Sequence, residues 1–533
     1  MKSKMKKKLL KISIGLWLLT IPMNLFSQPG TLDTTFGIGG KVITQIGLSN
    51  DYALSVNILP DSSIITAGYY SDYTYLPEGN NVFLSKYHID GTLDNGFGIR
   101  GIVKDTIGSI GSQILATAIQ PDGKIVAIGT VGSGWSAKIL LLRYNSNGTY
   151  DNYFGNGGIV ITQIDTCSLG GSVAIQPNGK IIVSASIHNG TNLDFGLLRY
   201  NSDGTLDNSF GTGGVVISTI GSGYEYNSSL KIQSDGKFVL AGRTYTSSWA
   251  ESKGLIIRFD ANGLIDTTFG NGGATITSVG SAPGYCVFND IALQSDGKIV
   301  SIGYSIEDIG NGNYDNKNLV VRYNSNGLLD SSFGANGVVL TDVLGGGDIA
   351  NSIIIQPDEK ILIAGHSGEA YPDITSYITV SRYNDNGVLD VSFGTDGIVT
   401  TNVSGYETNF ANSIKLQADR KIIVAGSTSD ISVLKNVALV RYDSGLNLGI
   451  EENNQQSFFT IYPNPTTGKV TISFSEIITD IEIFNILGEK ISYSYNFNQQ
   501  KKIEIDLLNF PKGIYFVKIY DDEKSYTEKI VMQ

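Results

Sequence analysis

The sequence is short of the side chains that build metal and nucleophile sites. It has two cysteines, Cys167 and Cys286, too few for a disulfide-stapled scaffold or for paired Cys-x-x-Cys zinc ligands. They lie in equivalent positions of the third and fifth of the repeats described below. Two units apart, their Cα atoms should exceed the ~7 Å limit for a disulfide, so both are expected to be unpaired thiols. The three histidines, His88, His188 and His366, fall in three different units, with no His-Glu-x-x-His pair.

Positive charge is also scarce. Lys and Arg number 38 against 50 Asp and Glu, a net charge of −12. The first 27 residues hold six of the lysines and no acid, so without them the balance is 32 to 50, or −18. Such a surface repels phosphate backbones and excludes nucleic acid as a partner. Long apolar runs are missing after Phe26, where nothing approaches the ~20 residues of a spanning helix, and a soluble mature protein is expected. The start, "MKSKMKKKLLKISIGLWLLTIPMNLFSQ", has five lysines before Leu9, an apolar run broken by Pro22 and then small Ser27. It reads as an export signal, residues 1–27, removed near Ser27-Gln28.

What the chain has in quantity is repetition. "RYNSDGTLDNSFGTGGVVI", residues 199–217, has near copies ending at Phe36, Phe97, Phe154, Phe269, Phe333 and Phe393, each three residues after an Asp. The spacing from Phe36 to Phe393 gives a mean period of 59.5 residues over six intervals, which points to a ring or array of supersecondary units. Each unit has four strand-like pieces, a to d; in the third they are "SVAIQ", "KIIVSA", "FGLLRYN" and, after the repeated phrase, "GVVISTI". Strand a alternates with period two, as in the column Val56, Thr117, Val173, Leu230, Ile291, Ile353 and Ile414. "PDGK" and its variants then supply the Asp-Gly or Asn-Gly of a tight a–b hairpin. One position before that column stand Ser55, Ala116, Ser172, Ser229, Asp290, Ser352 and Ser413, small and polar enough to place strand a nearest a crowded, wet axis.

The pattern predicts an all-β chain: a seven-bladed β-propeller closed by an N-terminal strand, followed by a small C-terminal β-sandwich domain. Closure is expected because "TLDTTFGIGGKVIT" is a d strand with no unit before it, and "LVRYDSG" a c strand with no d after it. Residues 40–46 should therefore pair beside 436–442. The Phe of the repeated phrase is expected to anchor packing between neighbouring units, and its Asp to cap an Asx-type turn. The same loop is similar to an Asp-rich cation loop, but copies such as "DANGLID" carry Ala or Asn where carboxylates are needed. No metal and no cofactor are expected.

The "QPDGKIVxxG" hairpin, the "RYNxxGxLDxxFG" phrase and the period near sixty resemble the delta-60 repeat family, with seven copies over residues 31–443. That resemblance implies a bacterial surface or secreted protein and no particular activity. The first unit departs from it, with "LPDSS" for the hairpin and Lys86-Tyr87 for Arg-Tyr. After a polar linker, residues 444–457, the last segment holds Tyr462-Pro463-Asn464-Pro465, Gly468, "NILGEKI" with Gly488, "KGIYFVKI" with Gly513 and Tyr515, and a terminal basic strand with Lys529. It resembles the type A C-terminal sorting domain of the type IX secretion system, residues 458–533, within a chain organised as 1–27, 28–443, 444–457 and 458–533. The resemblance implies two partners, the secretion machinery and a sortase-like protease that removes the domain. The protein would then be secreted, extracellular or on the outer-membrane surface.

No catalytic constellation is visible. "GWSAK" around Ser136 lacks the second Gly of a nucleophile elbow, and the acids recur in register as turn residues. Asp290, the one carboxylate among the small axial residues, is expected to be solvated rather than catalytic. The a–b and c–d turns should share a uniform rim, and the variable b–c loops the opposite one. The candidate ligand-binding residues fall on that variable rim: Trp135, Trp249, Tyr73, Tyr75, His188, Tyr245, Tyr304, Tyr314, His366 and Tyr371. Aromatic faces beside Asn and Asp suit a glycan or protein ligand. The favoured reading is a monomeric, non-catalytic binding protein, and the alternative a carbohydrate-active hydrolase or lyase on the same scaffold.

Overall fold

The computed structural model describes residues 28–72, 80–108, 111–218, 220, 223–245, 251–280, 285–310, 313–369, 375–406, 408–429, 434–446, 459–474, 480–485, 490–491, 502–520 and 525–533. The chain divides into two units, Met1–Leu446 and Asn447–Gln533.

The described residues of the first unit form seven four-stranded antiparallel sheets, and their one helical element is a 3-10 turn, Gly134–Ser136. The third sheet is typical: a is Ser168–Ile175, b Ile181–His188, c Leu193–Tyr200 and d Val215–Ser218, hydrogen-bonded in that order. Its a–b hairpin closes on Asn178-Gly179, where Gly179 has φ +81° and donates to the Gln176 carbonyl at 2.9 Å. The other sheets repeat this order, except that the last is built from both ends of the unit. Lys41–Thr44 pairs antiparallel with Lys435–Asp443, Lys41 opposite Val440 and Thr44 opposite Val437, within the span expected from the orphan strand.

Strand a departs from simple alternation in every sheet. In six sheets a bulge shifts the a–b register just before the small axial residue, as between Ala53 and Ser55, Phe288 and Asp290, and Ala411 and Ser413, and in the third the shift from Gly170 to Val173 takes in the axial Ser172 itself. A bulged residue leaves the ladder and its side chain is re-aimed. Here that matters for Asn289, Asn351 and Asn412, whose amides donate to Ala350 O, Ala411 O and Ala53 O of the following sheet at 2.8–2.9 Å. The last of these bonds runs from the seventh sheet back to the first.

The repeated phrase holds a shape. Its Phe is 0–1% exposed in all seven copies, a burial of about 1.5–3 kcal/mol each. Its Asp accepts the backbone N–H two residues on at 2.9–3.1 Å in all seven, the expected Asx turn. The other carboxylate oxygen faces the Arg of the phrase, 2.6–2.9 Å from Nε in six copies. That guanidinium lies over the Phe ring, 4.3–4.8 Å from its centroid. It also donates to a turn carbonyl of the neighbouring sheet, as Arg258 does to Ser325 O at 2.6 Å and Arg441 to Ile89 O. The Lys of the a–b hairpin joins the same carboxylate, as Lys180 does Asp207 at 2.6 Å, so the two turns share a rim. Close approach completes the clamp. Gly204, at φ +89°, lies where a Cβ would sit 3.0 Å from the Phe154 ring of the preceding sheet, which requires glycine.

The first sheet explains its own departures. It has neither the hairpin Lys nor the Arg, and Lys86 alone bridges Asp61 at 3.5 Å and Asp94 at 3.1 Å. The cysteines need one correction. Both are buried thiols, but Cys286 opens its a strand whereas Cys167 lies one residue before the a strand that starts at Ser168, so they are not in equivalent register.

In the second unit, Phe459–Tyr462, Lys469–Phe474 and Lys502–Asp506 form one three-stranded sheet, and Asp480–Asn485, Gly513–Tyr520 and Ser525–Met532 another. Both supply one apolar core, including Val470, Ile472 and Ile505 from the first and Ile483, Val517 and Ile530 from the second.

Candidate functional site

The seven small axial residues, Ser55 to Ser413, all line one cavity of about 430 Å³, so strand a is innermost. Asp290 lines that cavity half-buried, and its carboxylate is engaged by neighbouring groups. Its Oδ1 accepts Ser229 Oγ at 2.6 Å and its own neighbour's Ile291 N–H at 2.9 Å, and Lys231 Nζ lies 3.3 Å away. Its Oδ2 accepts Ser352 Oγ at 3.2 Å and Ile353 N–H at 3.1 Å. Burial alone would raise its pKa, but Lys231, Ser229 and Ile353 outweigh it and hold the carboxyl below the usual range. A carboxylate so fully engaged ties three sheets together and has no proton to give near neutrality. Lys415 lines the same cavity, its pKa lowered by burial and by Lys231.

The opposite rim carries non-repeating side chains in three groups. In the first, Trp135 sits on the 3-10 turn and is 59% exposed, with the His188 ring of the next sheet edge-on at 5.2 Å. His188 Nδ1 is 3.0 Å from Thr166 Oγ1 and 3.6 Å from Asp165. In the second, Arg243 and Tyr226 face each other across the a–b ladder of the fourth sheet. The guanidinium lies 5.3 Å from the Tyr226 centroid and 5.5 Å from that of Tyr245. Tyr245 meets Tyr226 at 5.8 Å and Tyr285 at 6.3 Å, both edge-on, and Tyr304 of the fifth sheet feels the same Arg243 charge. Burial raises the pKa of both Tyr226 and Tyr304 despite that charge.

The third group joins the sixth, seventh and first sheets. His366 packs edge-on to Phe410 at 4.6 Å, and its buried Nδ1 has no hydrogen-bond partner among the described residues. Burial, with help from Lys435, lowers its pKa to about 4. Lys435 Nζ stands 4.5 Å from the Phe410 centroid and 5.0 Å from that of Tyr52, which stacks on Tyr69 at 4.8 Å. Tyr314 is apart from these groups on the longest hairpin and is 57% exposed. Tyr73, Tyr75, Trp249 and Tyr371 lie outside the described residues.

Arg243, Tyr226, Tyr285, Lys435 and Phe410 were not singled out by sequence reasoning. The available signal was the column of a-strand residues nearest this rim, Tyr52, Gln113, Leu169, Tyr226, Val287, Ile349 and Phe410, which varies where the axial column does not.

The motif residues of the last unit fasten its two ends together. Asn464 donates from Nδ2 to Lys529 O at 2.6 Å and accepts Val531 N–H at 2.9 Å. Tyr515 is buried and donates to Pro511 O at 2.6 Å, and Gly468 donates to Thr466 Oγ1 at 3.1 Å while its carbonyl accepts Leu507 N–H at 2.6 Å. Gly513 opens its strand, Tyr462 and Pro463 lead into Asn464-Pro465, and Gly488 lies outside the described residues.

Comparison with known proteins bears on both units. The secretion system C-terminal sorting domain matches residues 460–533. The domain of unknown function (DUF5122) beta-propeller matches 120–154, 176–210, 233–269, 294–333, 356–393 and 417–448, leaving out the divergent first repeat although its sheet has the same strand order. No curated protein matches the chain in sequence. Similar solved structures include a protein of unknown function from Dyadobacter fermentans, 11% identical with TM-score 0.41, covering 76% of this chain and 98% of that one. Another is polysaccharide lyase Uly1, 10% identical with TM-score 0.45, covering 74% and 90%. A third is a PL25 ulvan lyase, 12% identical with TM-score 0.44, covering 76% and 96%. Likenesses this distant carry no argument about activity. The chain joins DUF5122 beta-propeller repeats to a secretion system C-terminal sorting domain, and it is a type IX secretion cargo exported to the cell surface or the extracellular space.

Proposed function

We propose that the cargo is a non-catalytic binding protein that offers the variable rim of a complete seven-bladed ring to a glycan or protein ligand. In this reading residues 1–27 are an export signal and 28–443 the ring, closed by Lys41–Thr44. Residues 444–457 are a linker, and 458–533 a β-sandwich sorting domain removed by a sortase-like protease. The observation that carries the binding role is the asymmetry of the two rims. On one, every Asp of the repeated phrase is engaged in the same clamp; on the other, Trp135 with His188 and the tyrosines about Arg243 follow no repeat. Exposed indole and phenol faces are favoured where a ligand buries one ring face.

A second reading, a carbohydrate-active hydrolase or lyase, is favoured by the Arg243 group, since an arginine that neutralises a sugar acid beside a tyrosine is what proton abstraction next to a carboxylate requires. Against it, burial raises the pKa of Tyr226 and Tyr304, which opposes a phenolate base. Screening the exported protein on a glycan array and against the cell's surface polymers tests binding, and release of reducing or unsaturated sugar from the bound polymers tests catalysis. Binding without release supports the first reading, and release supports the second.

A further inference from the structure

Arg243 is unlike the arginines of the repeated phrase. Those six each face an Asp carboxylate 2.6–2.9 Å away. The Nε–H of Arg243 is buried without an acceptor, as are those of Arg382 and Arg441, but those two have a carboxylate at 2.8 Å and Arg243 has none among the described residues. What surrounds it instead is aromatic: the Tyr226 and Tyr245 rings within 5.5 Å, with Tyr285 and Tyr304 behind them. Cation–π contact holds the guanidinium in place but satisfies no N–H donor. A half-buried guanidinium with no carboxylate beside it among the described residues is suited to an oxyanion, and its planar fork matches a carboxylate or sulfate in two-point contact. The rings beside it are flat, half-buried and neutral, which suits the C–H face of a pyranose. A protein this acidic has no general attraction for polyanions, so selection of one must come from such a contact.

We infer that Arg243, set among Tyr226, Tyr245, Tyr285 and Tyr304, is the subsite that takes the carboxylate or sulfate ester of an acidic polysaccharide. The inference rests on the rim-binding reading and deepens it. The shared chemistry is an oxyanion on a sugar ring, and the two sources are separated by the probes.

The test uses the full mature protein with polygalacturonate, dextran sulfate and uncharged dextran, with affinity measured by calorimetry. The expected result is binding of at least one charged polymer, weakened at least tenfold by Arg243→Gln and about threefold to tenfold by Arg243→Lys, which keeps the charge and the ring contact but loses the fork. The melting temperature of each variant is the control that the sheet remains folded. Wild-type affinity in Arg243→Gln overturns the inference, as does failure of the wild type to bind either charged polymer. If in those cases the glycan array still returns a ligand whose binding Trp135→Ala weakens, the rim reading stands without the oxyanion subsite. If poly-glutamate competes as well as the sugars do, an acidic protein partner replaces the polysaccharide and the inference falls.

Discussion

The backbone N–H of Val56, in the innermost strand of the first sheet, donates to Ser413 Oγ of the seventh at 3.1 Å, across 357 residues of chain. The same contact recurs between consecutive sheets, Thr117 N–H to Ser55 Oγ at 3.1 Å and Ile414 N–H to Ser352 Oγ at 3.3 Å. Closure at the axis thus uses the same contact as the junctions of the first with the second sheet and of the sixth with the seventh. At the outer edge it depends on Lys41–Thr44 lying beside Val437–Val440. Deleting residues 28–47 exposes that edge and removes Phe36 and Asp33 from the clamp on Arg441. The whole ring should lose cooperativity and unfold at least 10 °C lower in calorimetry, and unchanged unfolding would refute closure by this strand.

Asp266 tests the clamp. Thr268 Oγ1 donates to it at 2.6 Å, and Arg258 and Lys237 pair with it at 2.9 and 3.1 Å. Asp266→Ala leaves the buried Arg258 without its carboxylate, while Lys237 keeps Asp235 at 3.5 Å, and should cost about 3–5 kcal/mol in denaturant unfolding, while rim binding is retained. The Thr268 hydroxyl, together with Lys237 and Arg258, holds the Asp266 pKa well below its ordinary 3.8. A depressed carboxyl contributes stability that is present above the unfolded pKa and lost as pH falls through the folded one. The seven clamps should therefore fail together in acid below about pH 4, and Asp266→Asn should flatten its share of that slope.

Glu225 behaves in the opposite sense. It is buried at the head of an inner strand, where it accepts Ile220 N–H at 3.2 Å, and burial, with Asp194 beside it, raises its pKa from 4.5 to about 8. Burial likewise raises Asp348 to about 7 and Asp51 to about 6. A raised carboxyl stabilises fully below its unfolded pKa, and that contribution disappears as pH rises through the folded value. Stability should then fall between about pH 4.5 and 8, by several kcal/mol for Glu225 at ~1.4 kcal/mol per unit. Glu225→Gln should remove much of that fall, seen as a smaller drop in denaturation midpoint from pH 6 to pH 9 than in the wild type, the remainder belonging to Asp348 and Asp51. A variant that keeps the wild-type slope would assign the effect elsewhere.

Trp135 is largely outside the core, so Trp135→Ala should change unfolding free energy by less than about 0.5 kcal/mol. It should nonetheless weaken ligand binding at least tenfold, measured on whichever array partner is found. Equal affinity in the variant would remove this part of the rim from the binding face.

Export gives the last prediction. The Asn464 bonds to Lys529 O and Val531 N–H hold the start of the sorting domain to its final strand. A chain lacking residues 458–533 should accumulate in the periplasm, and intact mass of the exported protein should end within residues 444–457. An exported form that retains Gln533 would contradict removal of the domain.

The sequence by itself determined the strand order, the period, the hairpin turns, the axial column and the strand that joins the two ends of the repeats. These follow from local rules: alternation with period two, turn residues needing positive φ, and a Phe and Asp that recur in step. It also carried the sorting motif, because that signal is contiguous. Only the tertiary structure decided what the polar groups do. Arg of one repeat reaches the turn of the next, Lys86 stands in for two missing cations, and the bulge turns Asn412 toward Ala53. Asp290 was legible as an axial carboxylate but not as the acceptor shared by Ser229 and Ser352 of the flanking sheets. Arg243 was one residue of a variable loop until packing set it among tyrosines from neighbouring strands. Pairings such as Asp290 with Ser229 and Ser352, or Arg258 with Ser325, join residues about sixty positions apart and depend on how the sheets are turned against one another, and those about Arg243 depend on side-chain placement across neighbouring strands, relations that no periodicity within one strand encodes.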